Sequence, residues 1–156
     1  GWRVLTNCLK PGGLMKIGLY SELGRQDIVE MRKEISKSGF RSSNVEMKSF
    51  RNNLVKSDKD HHRLILKSSD FYAMSTLKDL LFHVQEHRFT IPQIQECLGD
   101  LGLKFCGFES STIVADFKLT NPDEDDLYNL DKWQTYEVKH PRTFSGMYQF
   151  WCQKLG

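Results

Sequence analysis

A chain of 156 residues with 39% hydrophobic and 12% aromatic content is long enough for one domain with a genuine core, which excludes extended disorder. The 22 Lys and Arg residues are interspersed with 20 Asp and Glu, a balance of +2 that leaves no basic stripe and so does not indicate nucleic acid as a partner. No apolar run approaches the roughly 20 residues of a membrane span, and no basic-then-apolar secretory pattern opens the chain, so a soluble, cytoplasmic protein away from the membrane is expected.

Gly1-Trp2-Arg3-Val4-Leu5 has no initiator Met and opens inside an amphipathic helix, with Trp2, Leu5 and Leu9 at helical spacing. The chain is therefore expected to begin within a larger protein. Lys10-Pro11-Gly12-Gly13 stops this helix, and Leu14–Tyr20 is short, apolar and bounded by turn residues, as a buried strand would be. From Ser21 to His87 the periodicity is helical. Ile28, Met31 and Ile35 share one face before a stop at Gly39, and Met47, Phe50 and Leu54 share another after a Ser43…Glu46 capping box. The polar tract Ser57–His62 reads as a loop or a frayed helical start and not as a domain boundary.

Ser75 is placed as the cap of a helix with the stripe Leu77, Leu80, Leu81 and Val84. Thr90…Gln93 caps the next helix, which turns Ile91, Ile94, Leu98 and Leu101 inward and stops at Gly102. Lys104–Glu109 reads as a strand, and Gly146–Gln153 is apolar on both faces, as a central strand would be. Residues 112–119 fit a strand or a helix, and periodicity alone does not choose. Asn121–Asp126 is an acidic, turn-rich loop, after which Leu127, Leu130, Trp133 and Tyr136 recur at helical spacing. Cys8, Cys97, Cys106 and Cys152 are widely spaced without a C-x-x-C pair, so neither a disulfide framework nor a zinc cluster is expected of them.

Leu9-Lys10-Pro11-Gly12-Gly13 before a buried strand, Ile17–Glu22, Asp79–Thr90 and Thr143–Trp151 together resemble the C-terminal part of class I S-adenosylmethionine-dependent methyltransferases, in a family often fused to tetratricopeptide repeats. The resemblance spans nearly the whole chain. It implies an α/β fold, the C-terminal portion of a Rossmann-like methyltransferase domain, with a small mixed sheet of three strands. Leu14–Tyr20 would be strand five, Lys104–Glu109 strand six, and Gly146–Gln153 strand seven, antiparallel and central, giving the order 5-7-6. It also implies a helix over residues 112–119. On this reading residues 1–156 are a single partial domain in which residues 21–90 are a helical insertion, a lid over the acceptor site.

The family's cofactor loop is a Gly-rich turn that follows its first strand, with acidic residues after the second and third, and nothing in this sequence supplies them. Gly12-Gly13 precedes a strand and is a turn. S-adenosylmethionine is thus expected in the parent protein and not on this chain. The methyl acceptor, small molecule or protein, is not indicated.

Several residues could carry chemistry. His83-Val84-Gln85-Glu86-His87 fits H-x-x-E-H, in which two histidines one turn apart hold zinc and a glutamate activates water, but only two ligands have suitable spacing and Arg88–Pro92 ends the helix at once. No metal is therefore expected there, and a zinc hydrolase is kept as an alternative. Otherwise His83, Glu86 or His87 could serve as a general base toward an acceptor amine or hydroxyl, or cap a polar helix edge. Tyr20 and Ser21, at the carboxyl end of the first strand, join His83, His87 and Arg88 as candidate acceptor-binding residues. Ser75-Thr76-Leu77-Lys78 fits S-x-x-K only as a helix cap. A noncatalytic interaction module is a further alternative. An unpaired outer edge on Leu14–Tyr20, which the resemblance would pair with an absent strand four, leads to the expectation of a homo-oligomer formed through residues 1–20.

Overall fold

The computed structural model describes residues 1–82 and 86–156, which gather into two units, Gly1–Gly24 with His87–Gly156 and Arg25–Glu86. Together the described residues contain eight α-helices and one mixed four-stranded sheet, so the class is α/β.

The sheet belongs to the first unit. Its strands are β1 (Leu14–Ser21), β2 (Arg88–Phe89), β3 (Leu103–Phe108) and β4 (Tyr148–Lys154), in the order β2-β1-β4-β3. β4 runs antiparallel to both neighbours and lies between them, from Leu14 opposite Gln153 to Leu19 opposite Tyr148 on one side, with a bulge between Phe105 and Phe108 on the other. The three strands and the order expected from sequence are present, and a fourth joins them. Arg88–Phe89 pairs in parallel with Tyr20–Ser21, and the Glu22 amide donates to the Phe89 carbonyl at 2.8 Å. Two residues are too few for any periodicity to register, but they satisfy backbone groups at the end of β1 that would otherwise lack partners. The outer edge is therefore covered at Tyr20 and Ser21; along Leu14–Leu19 no strand among the described residues covers it.

Each strand faces two ways. Met15, Ile17 and Leu19 of β1 and Tyr148, Phe150 and Cys152 of β4 turn to the core, while Leu14, Lys16, Gln149 and Trp151 are exposed. The expectation that both strands are buried on two faces is thus corrected: the out-of-phase positions carry Lys16, Gly18 and Gln149, which suit a solvated face, and Leu14 and Trp151 are the apolar exceptions.

Three helices close the inner face: α6 (Ile91–Asp100), α7 (Ser111–Lys118) and α8 (Leu130–Lys139). α6 begins at the complete Thr90/Gln93 capping box and ends before Gly102, whose φ of 61° is a left-handed stop that glycine takes at least cost. Its buried Ile91, Ile94 and Leu98 are those expected. Residues 111–118 are helical, as the resemblance implies, and Phe117 stacks on Trp133 with ring centroids 3.7 Å apart and planes at 13°. Leu127 falls in a 3₁₀ turn, Glu124–Tyr128, ahead of α8, and its carbonyl accepts the Trp133 indole N–H at 3.0 Å. In α1 (Trp2–Cys8), Trp2 stacks on Phe89 and Thr6 is buried, but Leu5 is exposed, contrary to the expected stripe. Lys154 Nζ donates to the Thr6 and Leu9 carbonyls, satisfying that helix's C-terminal end.

The second unit is helical: α2 (Gln26–Lys37), α3 (Asn44–Val55), α4 (Asp60–Ile65) and α5 (Met74–Leu77), with a 3₁₀ turn at Ser69–Phe71 and a π turn at Lys78–Phe82. Ile28, Met31 and Ile35 on α2 and Met47, Phe50 and Leu54 on α3 are buried as their spacing predicts, and Ser43 accepts from the Glu46 amide as the cap. The tract Ser57–His62 is a loop leading into the start of α4 at Asp60, as expected, and α4 buries His62 and Ile65. One reading changes: Ser75 lies inside α5, whose cap position is Ala73. Leu77, Leu80 and Leu81 are buried; Val84 lies outside the described residues.

The Phe117–Trp133 stack sets a measurable stability. Phe117→Ala should cost about 3–5 kcal/mol, since a fully buried ring leaves a cavity and an unstacked indole. A loss below about 1 kcal/mol in urea unfolding followed by tryptophan fluorescence would show that the stack does not support the core.

Candidate functional site

Alternation along β1 turns Ser21 into the core in phase with Ile17 and Leu19, and its side chain is fully enclosed. Its hydroxyl donates to Glu137 Oε1 at 2.5 Å and accepts the Gly24 amide at 2.8 Å. From β4 the Tyr148 hydroxyl reaches the same carboxyl, 2.8 and 2.7 Å from its two oxygens. Glu137 is only 1% exposed, because α8 presents Leu130, Trp133 and Glu137 on one buried stripe. Burial raises its pKa above the ordinary 4.5, and the hydrogen bonds from Ser21 and Tyr148 offset only part of that rise. Burial also drives the Tyr148 hydroxyl upward, with the nearby Glu137 charge adding to it. Gly24 completes the arrangement: a Cβ there would collide with the Phe144 carbonyl, so the turn after β1 can approach the loop before β4 only with glycine.

Ser21, expected to touch an acceptor, is thus committed to an internal network. Tyr20 and Arg88 fare differently. They are 68 positions apart in sequence, yet β1–β2 pairing makes them register partners, both half-buried, and Arg88 Nε donates to Glu22 Oε2 at 2.9 Å. They mark the carboxyl end of the parallel strands, where open α/β sheets bind ligands. At the same end, where β3 finishes and β4 begins, a cleft of about 350 Å³ is lined by Phe108, Ile113, Phe144 and Met147 with the hydroxyls of Ser110, Thr143 and Ser145. Ser110 caps α7, so the first turn of that helix borders the cleft. Apolar walls with a few hydroxyls are the kind of lining that small-ligand sites have.

Of the H-x-x-E-H candidates, His83 lies outside the described residues. His87 is exposed, in the sheet-bearing unit. Glu86, in the helical unit, is enclosed with Arg25, which meets it through two nitrogens at 3.3 and 2.8 Å, and Arg32 Nη2 lies 3.1 Å away. Burial raises the pKa of Glu86, but the hydrogen bond and charge of Arg25, then those of Arg32, outweigh it and hold the carboxyl below its ordinary value. A general base near neutrality needs the opposite shift. In this arrangement Glu86 is a counterion between arginines, which does not favour the hydrolase alternative.

Glu137 and the hydroxyl-lined cleft were not singled out by the sequence reading. A signal for Glu137 existed: a carboxylate at the third position of the spacing Leu130, Trp133, Glu137, where an apolar residue would be expected. The period-three reading Leu127, Leu130, Trp133, Tyr136 passed over it, because it counted Leu127 within the helix. No protein-family model matches the chain, and no curated protein matches it significantly.

The raised Glu137 pKa gives a signed expectation. Its contribution to stability is fully present below the ordinary 4.5 and is lost as pH rises through the folded value. Glu137→Gln should therefore gain stability relative to the parent chain as pH goes from about 4 to about 8. A difference between the two in urea unfolding that stays constant across this range would remove Glu137 as a titrating buried group.

Proposed function

We propose that this chain is the C-terminal part of a class I S-adenosylmethionine-dependent methyltransferase, supplying the far side of its sheet, the acceptor-side cleft and, in residues 21–90, its helical insertion. The observation that carries the reading is the sheet order: the last strand in sequence runs antiparallel between two strands that are parallel to each other, which is what the resemblance of Leu9–Gly13, Ile17–Glu22 and Thr143–Trp151 implies. All five residues of the Thr143–Met147 segment of that last motif line the cleft at the carboxyl ends of the strands, where an acceptor would meet the cofactor's methyl group.

Methyl transfer asks chiefly for alignment of nucleophile and methyl group. Tyr20, Arg88 and the hydroxyls of Ser110, Thr143 and Ser145 would orient the acceptor, and the Ser21–Glu137–Tyr148 network would hold the ends of β1 and β4 in place. S-adenosylmethionine would be held by residues of the parent protein beyond this chain, through a Gly-rich strand-to-helix turn.

Calorimetric titration with S-adenosylmethionine tests the proposal. The 156-residue chain alone should bind none, and a longer product of the same gene should bind one equivalent. Saturable binding by the chain alone would put the cofactor site in the wrong place. A longer product without a Gly-rich turn and without binding would end the methyltransferase reading.

A second reading, a noncatalytic interaction module, draws on the bare sheet face with Leu14 and Trp151, and on the exposed Val4, Leu5 and Leu155 of the same unit. Both readings lead to self-association of the isolated chain through residues 1–20, because no strand among the described residues pairs with the outer edge of β1 from Leu14 to Leu19, and Leu14 is exposed beside it. Light scattering over a dilution series should detect a dimer or larger species, and a monomer at the highest concentration would contradict this.

A further inference from the structure

The helical unit holds a cluster of ligating groups that the readings above leave unused. Glu34 projects from the last turn but one of α2 toward the first turn of α4. His62 Nε2 lies 2.6 Å from one carboxylate oxygen, and His61 Nε2 lies 3.1 Å from the other. The two imidazoles meet edge to face, 4.4 Å between centroids, and one ligand atom from each of the three residues lies within 4.8 Å of the others. Two adjacent histidines of one helix thus converge on one carboxylate of another.

Burial grades across the cluster. The side chains of Glu34 and His61 are each 21% exposed and that of His62 is 8% exposed, so the group is sheltered from below and open to solvent on one side. His62 Nδ1 is buried without a hydrogen-bond partner, so Glu34 is the imidazole's polar partner among the described residues. Nε2, the nitrogen that faces Glu34, is thus the ring atom available to the cluster. Burial raises the pKa of Glu34, but hydrogen bonds from Lys59, His62 and His61 bring it down to about 2, so it is an anion at neutral pH.

We propose that Glu34, His61 and His62 bind one divalent transition-metal ion, with zinc the best fit. Two neutral imidazole nitrogens and a carboxylate oxygen are the donors that borderline cations select, whereas magnesium and calcium take oxygen sets. Zinc with three such protein ligands keeps a fourth position for water, which agrees with the open side. Ligand atoms at about 2.1 Å from a tetrahedral zinc lie about 3.4 Å apart, so the two short contacts, made to different oxygens of Glu34, would widen, and the three ligand atoms, now within 4.8 Å of one another, would draw in around one ion. The ion would stand where the hydrogen-bonding protons now lie. Lys59 Nζ, 2.6 Å from Glu34, is the competing cation, and its side chain is 56% exposed, free to swing into water when the metal enters. Bound there, zinc would clamp α4 to α2 in a unit with a small core.

The test uses the 156-residue chain stripped of metal and titrated with zinc against a chromophoric chelator. One equivalent should bind with a Kd of about 1 µM or tighter. Glu34→Gln and His61→Ala, at partly exposed positions, should each weaken binding at least about 10-fold, while a His83→Ala/His87→Ala double variant should leave it unchanged. In the unsubstituted chain, long-range nitrogen NMR should move the ring resonances of His61 and His62 and not those of His83, His87 and His140. Absence of saturation by about 100 µM zinc, or ring shifts confined to the other histidines, would overturn the proposal whether or not the variants fold. Affinity that survives both Glu34→Gln and His61→Ala would also overturn it. The methyltransferase reading is untouched by any of these outcomes, since it stands on the other unit.

Discussion

A carboxyl group shut away from water organises the sheet-bearing unit. Glu137 enters on α8, and the hydroxyls that reach it come from the end of β1 and the start of β4, so three elements distant in sequence are drawn to one point. The cost of burying a carboxyl without partners is several times that of a typical net hydrogen bond, which makes the network exacting. It requires Ser21 to face inward, in phase with Leu19, and Tyr148, the register partner of Leu19 across the β1–β4 pairing, to face inward as well. Gly24 then lets the turn after β1 pass close to the Phe144 carbonyl. The geometry of the candidate cleft follows from this, since Phe144 and Met147 flank the segment that the network holds.

Three glutamates illustrate how surroundings decide the role of one side chain. Glu137 is buried with neutral hydroxyls, and burial raises its pKa above the ordinary value. Glu86 is also enclosed, but two guanidinium groups keep it ionised, and it ties the last residue of the helical unit to Arg25, the first. Breaking such a buried pair leaves an uncompensated charge, which is why it serves as a fastening. Glu34 is partly exposed and faces two imidazoles and an ammonium, a setting in which an ion can replace protons. Sequence spacing singled out Glu86 through its neighbouring histidines, whereas the packing gives the other two the less ordinary surroundings.

The functional reading depends on where the sheet places its ends. β1, β2 and β3 are parallel to one another, because β4 opposes both β1 and β3 and β2 runs with β1. Their carboxyl ends therefore coincide at one side of the unit. Tyr20 and Arg88 lie on one part of that side, and the hydroxyl-lined cleft on another, which is why the proposed function looks there for a ligand.

Local rules were enough for much of this fold. The capping box Thr90…Gln93 and the stripes Ile28/Met31/Ile35 and Met47/Phe50/Leu54 were legible because a helix cap and a 3.6-residue period are written within a few positions of sequence. The central place of β4 was legible from its density of apolar residues, although its one bare face was not, since a strand's second face is covered or left open by distant parts of the chain. Arg88–Phe89 as a strand, Ser21 as a buried donor, the pairing of Tyr20 with Arg88, and the meeting of Glu34 with His61 and His62 were decided only by tertiary structure. Each joins residues between 27 and 116 positions apart. Contacts at such separations depend on how whole elements pack, and no local periodicity records that.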